Sequence, residues 1–247
     1  MGNEMELLVQ RPHKRIYRRG GELVKLFETQ VPAADVLEEA LNQELAMEAG
    51  LPVPGLIEVT KIEGLWAVIS EFVPGETLQW HMEQYPGQRQ ALLERFVRLQ
   101  MRVHDAQAPR LRRQRDQLHR SISASGLSAT ARYELHVRLD AMLVHQKVCH
   151  GDFLPSNVML DGEKLCVLDW AHVTQGNSSA DAANTYLSLL KFFDENMAAE
   201  YLALYCELSD TARQYIEKWV PIIAGSHLAY CKPKRREFYA GFCEGIV

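Results

Sequence analysis

The chain has no apolar run approaching the about 18 residues that a membrane-spanning helix needs. Glu4 and Glu6 near its start do not suit the basic head of a secretory leader. Five cysteines, Cys149, Cys166, Cys206, Cys231 and Cys243, form no Cys-x-x-Cys pair and no cluster with histidine, so neither a zinc site nor a disulfide framework is expected. Free thiols in a reducing cytoplasm are the expectation. Positive charge is not in excess either. A net charge of -5 argues against nucleic acid or an anionic membrane surface as a partner held by general electrostatics. Low-complexity tracts and repeats of fixed period are also missing, which removes disordered linkers and solenoids.

What is there reads as an ordinary packed protein. The 247 residues are 47% hydrophobic and 24% charged, enough for a sizeable core in one large domain or two lobes. Basic residues bunch at Arg11 to Arg19 and Arg110 to Arg120, and acids dominate the charges from Asp194 to Glu217. Such runs read first as solvated faces.

The hydrophobic pattern changes character along the chain. Leu7 to Val9, Arg15 to Tyr17 and Leu23 to Phe27 are short β-like runs, with Gly20-Gly21 as the turn between the last two. Pro32 to Ala49 carries Val36, Leu37, Leu41, Leu45 and Ala46 at helical spacing, closed by Gly50. Leu56 to Val59 and Trp66 to Val73 resume strands about Glu63-Gly64, and Pro74-Gly75 is the best linker candidate. Beyond it, helices are expected at Leu92 to His104, Ala129 to Gln146, Ala180 to Phe193, Glu200 to Cys206 and Thr211 to Ala229. An apolar hairpin, Val158 to Leu160 and Leu165 to Leu168 about Asp161-Gly162, interrupts them. The expected fold is α+β and bilobal: a β-rich lobe with one helix over residues 1–74 and a mainly helical lobe over 75–247, with a cleft between them.

The hairpin carries the chemistry. Asp152, Asn157 and Asp169 stand at the ends of an otherwise apolar stretch, an arrangement that is costly unless something binds there. Phosphoryl transfer needs these residue types. One carboxylate positions an acceptor hydroxyl and takes its proton, while an asparagine and a second carboxylate hold magnesium against phosphate oxygens. A hairpin sets its two ends side by side, so both can face one ion.

The stretch from His150-Gly151-Asp152 through Asn157 to Asp169-Trp170 resembles the HGDxxxxN motif and following Asp-Trp of the aminoglycoside-phosphotransferase and choline kinase-like family, relatives of the protein kinases. The resemblance covers roughly residues 15 to 230. It implies a protein-kinase-like fold and an ATP-dependent transfer of the γ-phosphate to a hydroxyl of a small molecule. It also implies that Asp152 is the catalytic base, that His150 braces the loop, and that Asn157 and Asp169 are magnesium ligands. Asp181 is similar to an acid that supports the catalytic loop. Lys25 resembles the phosphate-binding lysine and Glu44 its helical partner, while Glu38, Glu39 and Glu48 read as ordinary helix-surface carboxylates. The backbone of Glu71, Phe72 and Val73 would then hold the adenine of ATP. One departure is plain: Gln10 to Arg15 holds no glycine where the family commonly covers the phosphates. Either Lys14, Arg15 and backbone amides replace that loop, or Lys25 and magnesium hold the phosphates.

Asp194, Glu195, Glu200, Glu207, Asp210 and Glu217 gather negative charge after the motif, which favours a cationic acceptor such as an aminoglycoside, a choline-like amine or an amino sugar. Two other readings stand beside this one. A pseudokinase would bind nucleotide without turnover. A protein kinase is disfavoured by the missing Ala-Pro-Glu segment and by Trp170 in place of Phe-Gly. His104, His172 and His227 are lone histidines with no role assigned.

Overall fold

The computed structural model describes residues 5–243. In chain order the strands and helices begin with β1 (Glu6–Gln10), β2 (Lys14–Arg19), β3 (Glu22–Phe27), α1 (Ala33–Glu48), β4 (Leu56–Ile62), β5 (Leu65–Glu71), β6 (Glu76–Thr77) and α2 (Leu78–Gln84). They continue with α3 (Arg89–Asp105), α4 (Gln114–Ala124), α5 (Ala129–Asp140), β7 (Lys147–Cys149), β8 (Val158–Asp161) and β9 (Lys164–Val167). The last are β10 (Thr174–Gly176), α6 (Ser178–Phe192), α7 (Glu195–Ser209), α8 (Arg213–His227) and α9 (Arg236–Gly241). Two compact units result. The first takes the chain up to Pro86 together with Pro155–His172, and the second takes Gly87–Leu154 and the chain from Val173 onward.

In the first unit β1, β2, β3, β5 and β4 lie in that order in one antiparallel sheet. Glu63 and Gly64 both adopt positive φ at the tight turn joining β4 to β5, the conformation whose twist matches flanking strands. Val24, Leu26, Ala67 and Ile69 form one buried layer of this sheet. Phe27 and Val68 face the other way, against Val36 and Ala40 of α1. β8 and β9 form a hairpin, and β6 adds to its β8 edge through Glu76 opposite Leu160 and Thr77 opposite Met159.

That pairing explains why the expected boundary at Pro74-Gly75 falls inside the first unit. Gly75 sits at φ +91°, and a methyl there would run into the Leu160 carbonyl, so the approach of the two segments needs glycine. The Val167 amide also donates to the Pro52 carbonyl at 2.7 Å, tying the hairpin to the loop after α1.

The second unit is mainly helical. α6 packs on α7 and α8, α3 packs on α7, and α4 packs on α5 and α8. Phe96, Leu135, Tyr201, Tyr205 and Trp219 are buried among them. β7 pairs with β10 as a short antiparallel ribbon beside α3. The expected α+β division, a β-sheet region first and a helical region after it, is the one found. The Ala129 helix ends at Asp140, short of the expected Gln146, because Leu143 and Val144 are exposed and have nothing to pack against.

Candidate active site

Strand alternation decides what Lys25 can reach. In β3 it lies opposite Val68 of β5, on the same side as Phe27 and facing α1. Its Nζ donates to Glu39 Oε1 at 2.6 Å, and both side chains are less than a tenth exposed. Burial alone would depress the Lys25 pKa, but the charges of Glu39 and Asp169 outweigh it and the net shift is upward. The expected partner, Glu44, is corrected by this contact. Glu39 shares the inward face of α1 with Val36, Ala40 and Gln43, whereas Glu44 lies about 140° round the helix from it.

Asp169 completes the cluster. Lys14 Nζ stands 3.4 Å from both of its carboxylate oxygens and 3.9 Å from Glu39, and Lys25 Nζ stands 4.0 Å from Asp169 Oδ1. Two lysines and two carboxylates therefore interlock around α1 and the turn after β9. Asp169 takes φ +62°, a left-handed conformation that costs a non-glycine residue about 1–2 kcal/mol. Arg15 turns away to Glu28 at 2.9 Å, so of the two basic candidates after the glycine-free turn only Lys14 joins this cluster.

Asn157 and Asp169 lie at the same end of the hairpin. Val158 pairs with Val167, and the Leu168 amide donates to the Asn157 carbonyl at 2.8 Å, one residue before Asp169. An amide oxygen and a carboxylate are hard donors that suit magnesium, which keeps several waters and takes the rest from substrate phosphates. Among the described residues no group of three or more His, Cys, Asp or Glu side chains is placed to hold a metal ion.

The backbone expected to hold adenine is partly engaged. The Glu71 amide donates to the Gly55 carbonyl and the Phe72 amide to the Gly21 carbonyl, each at 2.9 Å, while Arg18 covers the Phe72 ring at 4.3 Å. Val73 is the one of the three whose backbone is not used this way among the described residues.

In the second unit the loop from His150 to Asp152 is held at several points. Gly151 and His150 donate their amides to the Asp181 carboxylate at 2.7 and 3.2 Å, and the Asp152 amide donates to His150 Nδ1 at 3.2 Å. From α3, His104 Nε2 and Gln100 Nε2 donate to the same carboxylate at 3.0 and 3.3 Å, with Tyr205 and Tyr201 beyond them on the outer atoms of His104 and Gln100. Burial alone would raise the Asp181 pKa, but the hydrogen bond and charge of His104 and the Gly151 amide hold it below the ordinary aspartate value. His104 and Gln100 were missed in the sequence. Their only trace is a polar pair four residues apart on the inward face of an amphipathic helix.

A second chain of contacts leaves the loop on its other side. Asn184 donates to the Gly151 carbonyl at 2.5 Å, and His227 Nε2 donates to Asn184 Oδ1 at 2.6 Å. The His227 ring stacks on Tyr239 at 4.7 Å, and Lys191 Nζ donates to the Tyr239 hydroxyl at 2.5 Å.

The model of the phosphotransferase enzyme family matches residues 13–216. This chain belongs to that family. No curated protein matches the phosphotransferase by sequence. Among solved structures, aminoglycoside-3'-phosphotransferase of type VIII is 21% identical, with a TM-score of 0.70 over 90% of this chain and 93% of its own. A thermostable mutant of aminoglycoside phosphotransferase APH(4)-Ia, in ternary complex with AMP-PNP and hygromycin B, is 17% identical, with a TM-score of 0.72 over 98% of this chain and 92% of its own. A choline/ethanolamine kinase family protein from Mesorhizobium loti is 15% identical, with a TM-score of 0.63 over 98% and 87%. At these identities the likeness is one of fold, and the fold is the kinase-like one expected. The phosphotransferase is an enzyme, a small-molecule kinase by family. No helix among its described residues is long and apolar enough to cross a membrane.

Proposed function

We propose that this phosphotransferase moves the γ-phosphate of ATP to a hydroxyl of a small molecule, with Asp152 as the base that accepts the hydroxyl proton. The observation that carries the reading is the cluster of Lys25, Glu39, Asp169 and Lys14, whose buried lysine is oriented by a carboxylate as a phosphate-gripping lysine must be. Asn157 and Asp169 would hold magnesium, which would neutralise charge on the phosphate oxygens.

The chain's own residues do the rest by position. Lys25, pinned by Glu39, meets the phosphates, and Lys14 joins it in place of the missing glycine loop. The Val73 backbone is the part of the Glu71 to Val73 segment open to the base of the nucleotide. Asp181 and Asn184 fix the peptide groups on either side of Gly151, so the Asp152 carboxylate is presented without a further search for orientation. Asp152 takes the proton as the hydroxyl oxygen attacks phosphorus and ADP leaves.

Titration of magnesium-ATP into the wild-type protein, Lys14→Ala, Lys25→Ala and Asp152→Asn tests the division of labour. Each lysine change should weaken binding by about tenfold or more, as for loss of a charge-assisted contact, while Asp152→Asn should bind nucleotide normally. Unchanged affinity in Lys25→Ala would refute the phosphate site.

A further inference from the structure

We propose that the acceptor is an anion, a small hydroxy compound whose acidic group is held by Lys191 and Arg235 beside Asp152; the inference rests on Asp152 being the catalytic base. Lys191, in the last turn of α6, is joined to the catalytic loop by an unbroken series of contacts through Tyr239, His227 and Asn184 to the Gly151 carbonyl. Its ammonium lies over the rings of Phe192 and Tyr239 at 4.5 and 4.6 Å, and the Arg235 guanidinium lies over the Phe192 ring at 5.0 Å. Two cations thus lie against the same Phe192 ring. Among the described residues neither has a carboxylate within ion-pair distance, and the one hydrogen-bond partner of Lys191 is a phenol.

Among the described residues the half-buried Arg15 has Glu28 and the half-buried Arg19 has Glu22, and the exposed Arg236 beside Arg235 is spent on the Ser125 and Leu228 carbonyls. Lys191 and Arg235 are left to repel each other, which is unfavourable until an anion arrives. Burial, and then the charge of Arg235, push the Lys191 pKa down to about 8, while Asp152 is close enough to push it the other way. Burial pushes the Tyr239 hydroxyl up to about 12 against the pull of Arg235, and Asp152 adds a smaller upward push. An ammonium-bearing acceptor placed at Asp152 would meet this positive corner, whereas a carboxylate or phosphate group would complete it.

The acids that had favoured a cationic acceptor do not supply an opposing field here. Asp194, Glu195, Glu200, Glu207, Asp210 and Glu217 are all exposed; Asp194 and Glu200 stand near Arg89, and Glu217 is paired with Arg213. They are solvated faces of α7 and α8.

The test separates a small-molecule extract by ion exchange into anionic, neutral and cationic pools before each is offered to the enzyme with γ-labelled ATP. Label should pass to the anionic pool. Phosphatase treatment of that pool beforehand distinguishes the two sources of charge: loss of acceptor identifies a phosphate ester and retention identifies a carboxylate, each in keeping with the proposal. With the active pool in hand, Lys191→Gln should raise the acceptor KM by about 10- to 100-fold with kcat and the KM for ATP nearly unchanged, and Lys191→Arg should restore most of it. Thermal melting of both variants establishes that they fold. Transfer to the cationic or neutral pool, or a Lys191→Gln effect on the KM for ATP in place of the acceptor, overturns the proposal and leaves Asp152 as base intact. Transfer to no pool overturns both.

Discussion

Five positions separate Glu39 from Glu44 on α1, and that interval turns one glutamate into the buried partner of Lys25 and leaves the other partly exposed. The family resemblance pointed to Glu44, and Glu39 read as an ordinary helix-surface carboxylate. The helix face is decided by Val36 and Ala40, which pack on Phe27 and Val68 and carry Glu39 inward with them. A lone carboxylate on a buried face leaves no hydrophobic trace, so only the packing could reveal it. Removing one partner of a buried pair costs about 3–5 kcal/mol because the other is left charged and unmatched. Glu39→Gln should therefore lower the melting temperature and, by loosening Lys25, reduce kcat/KM by about 100-fold. Glu44→Gln should stay within about twofold of wild type in turnover, as expected of a substitution away from such features. Parallel melting curves and steady-state assays of the two variants decide between the glutamates.

At the scale of elements, the sequence was most informative where a local motif and a turn coincide. His150-Gly151-Asp152, Asn157 and Asp169 stood out because polar residues framed an apolar hairpin, and the hairpin does set Asn157 and Asp169 at one end. α2, α4 and α9 went unpredicted. α4, for instance, buries only Leu118 and Ile122 among its apolar residues, too few for a period to show. The tie between α3 and the loop was equally silent, since His104 and Gln100 act by reaching Asp181 in α6. That carboxylate, on α6, ties the loop to α3 through Gly151, His150, His104 and Gln100. Its pKa is held below the ordinary aspartate value, so its stabilisation is present above about pH 3.9 and is lost as the pH falls through the depressed value. Asp181→Asn should thus be less stable by about 3 kcal/mol at pH 7, with the gap to wild type narrowing below about pH 3.9. Urea unfolding at pH 7 and at pH 3 measures both, and a gap that persists unchanged into acid would contradict the assignment.

For the molecule as a whole, the order of β-rich and helical segments was legible from the change in periodicity after Pro74-Gly75. The grouping of Pro155–His172 with the first unit was not, because it depends on β6 pairing with β8 and on Val167 meeting Pro52. Lys14, Lys25, Glu39, Asn157 and Asp169 belong to that unit, while Asp152 belongs to the helical one. Catalysis in this account is an arrangement of charge, with Asp152 as the group that receives the proton. The most direct measurement is label transfer from γ-labelled ATP to the small-molecule acceptor by wild-type protein and by Asp152→Asn, with nucleotide affinity measured on both. The account predicts a loss of about 100-fold or more in transfer with nucleotide binding retained. Transfer by Asp152→Asn at a rate near that of the wild type would contradict it.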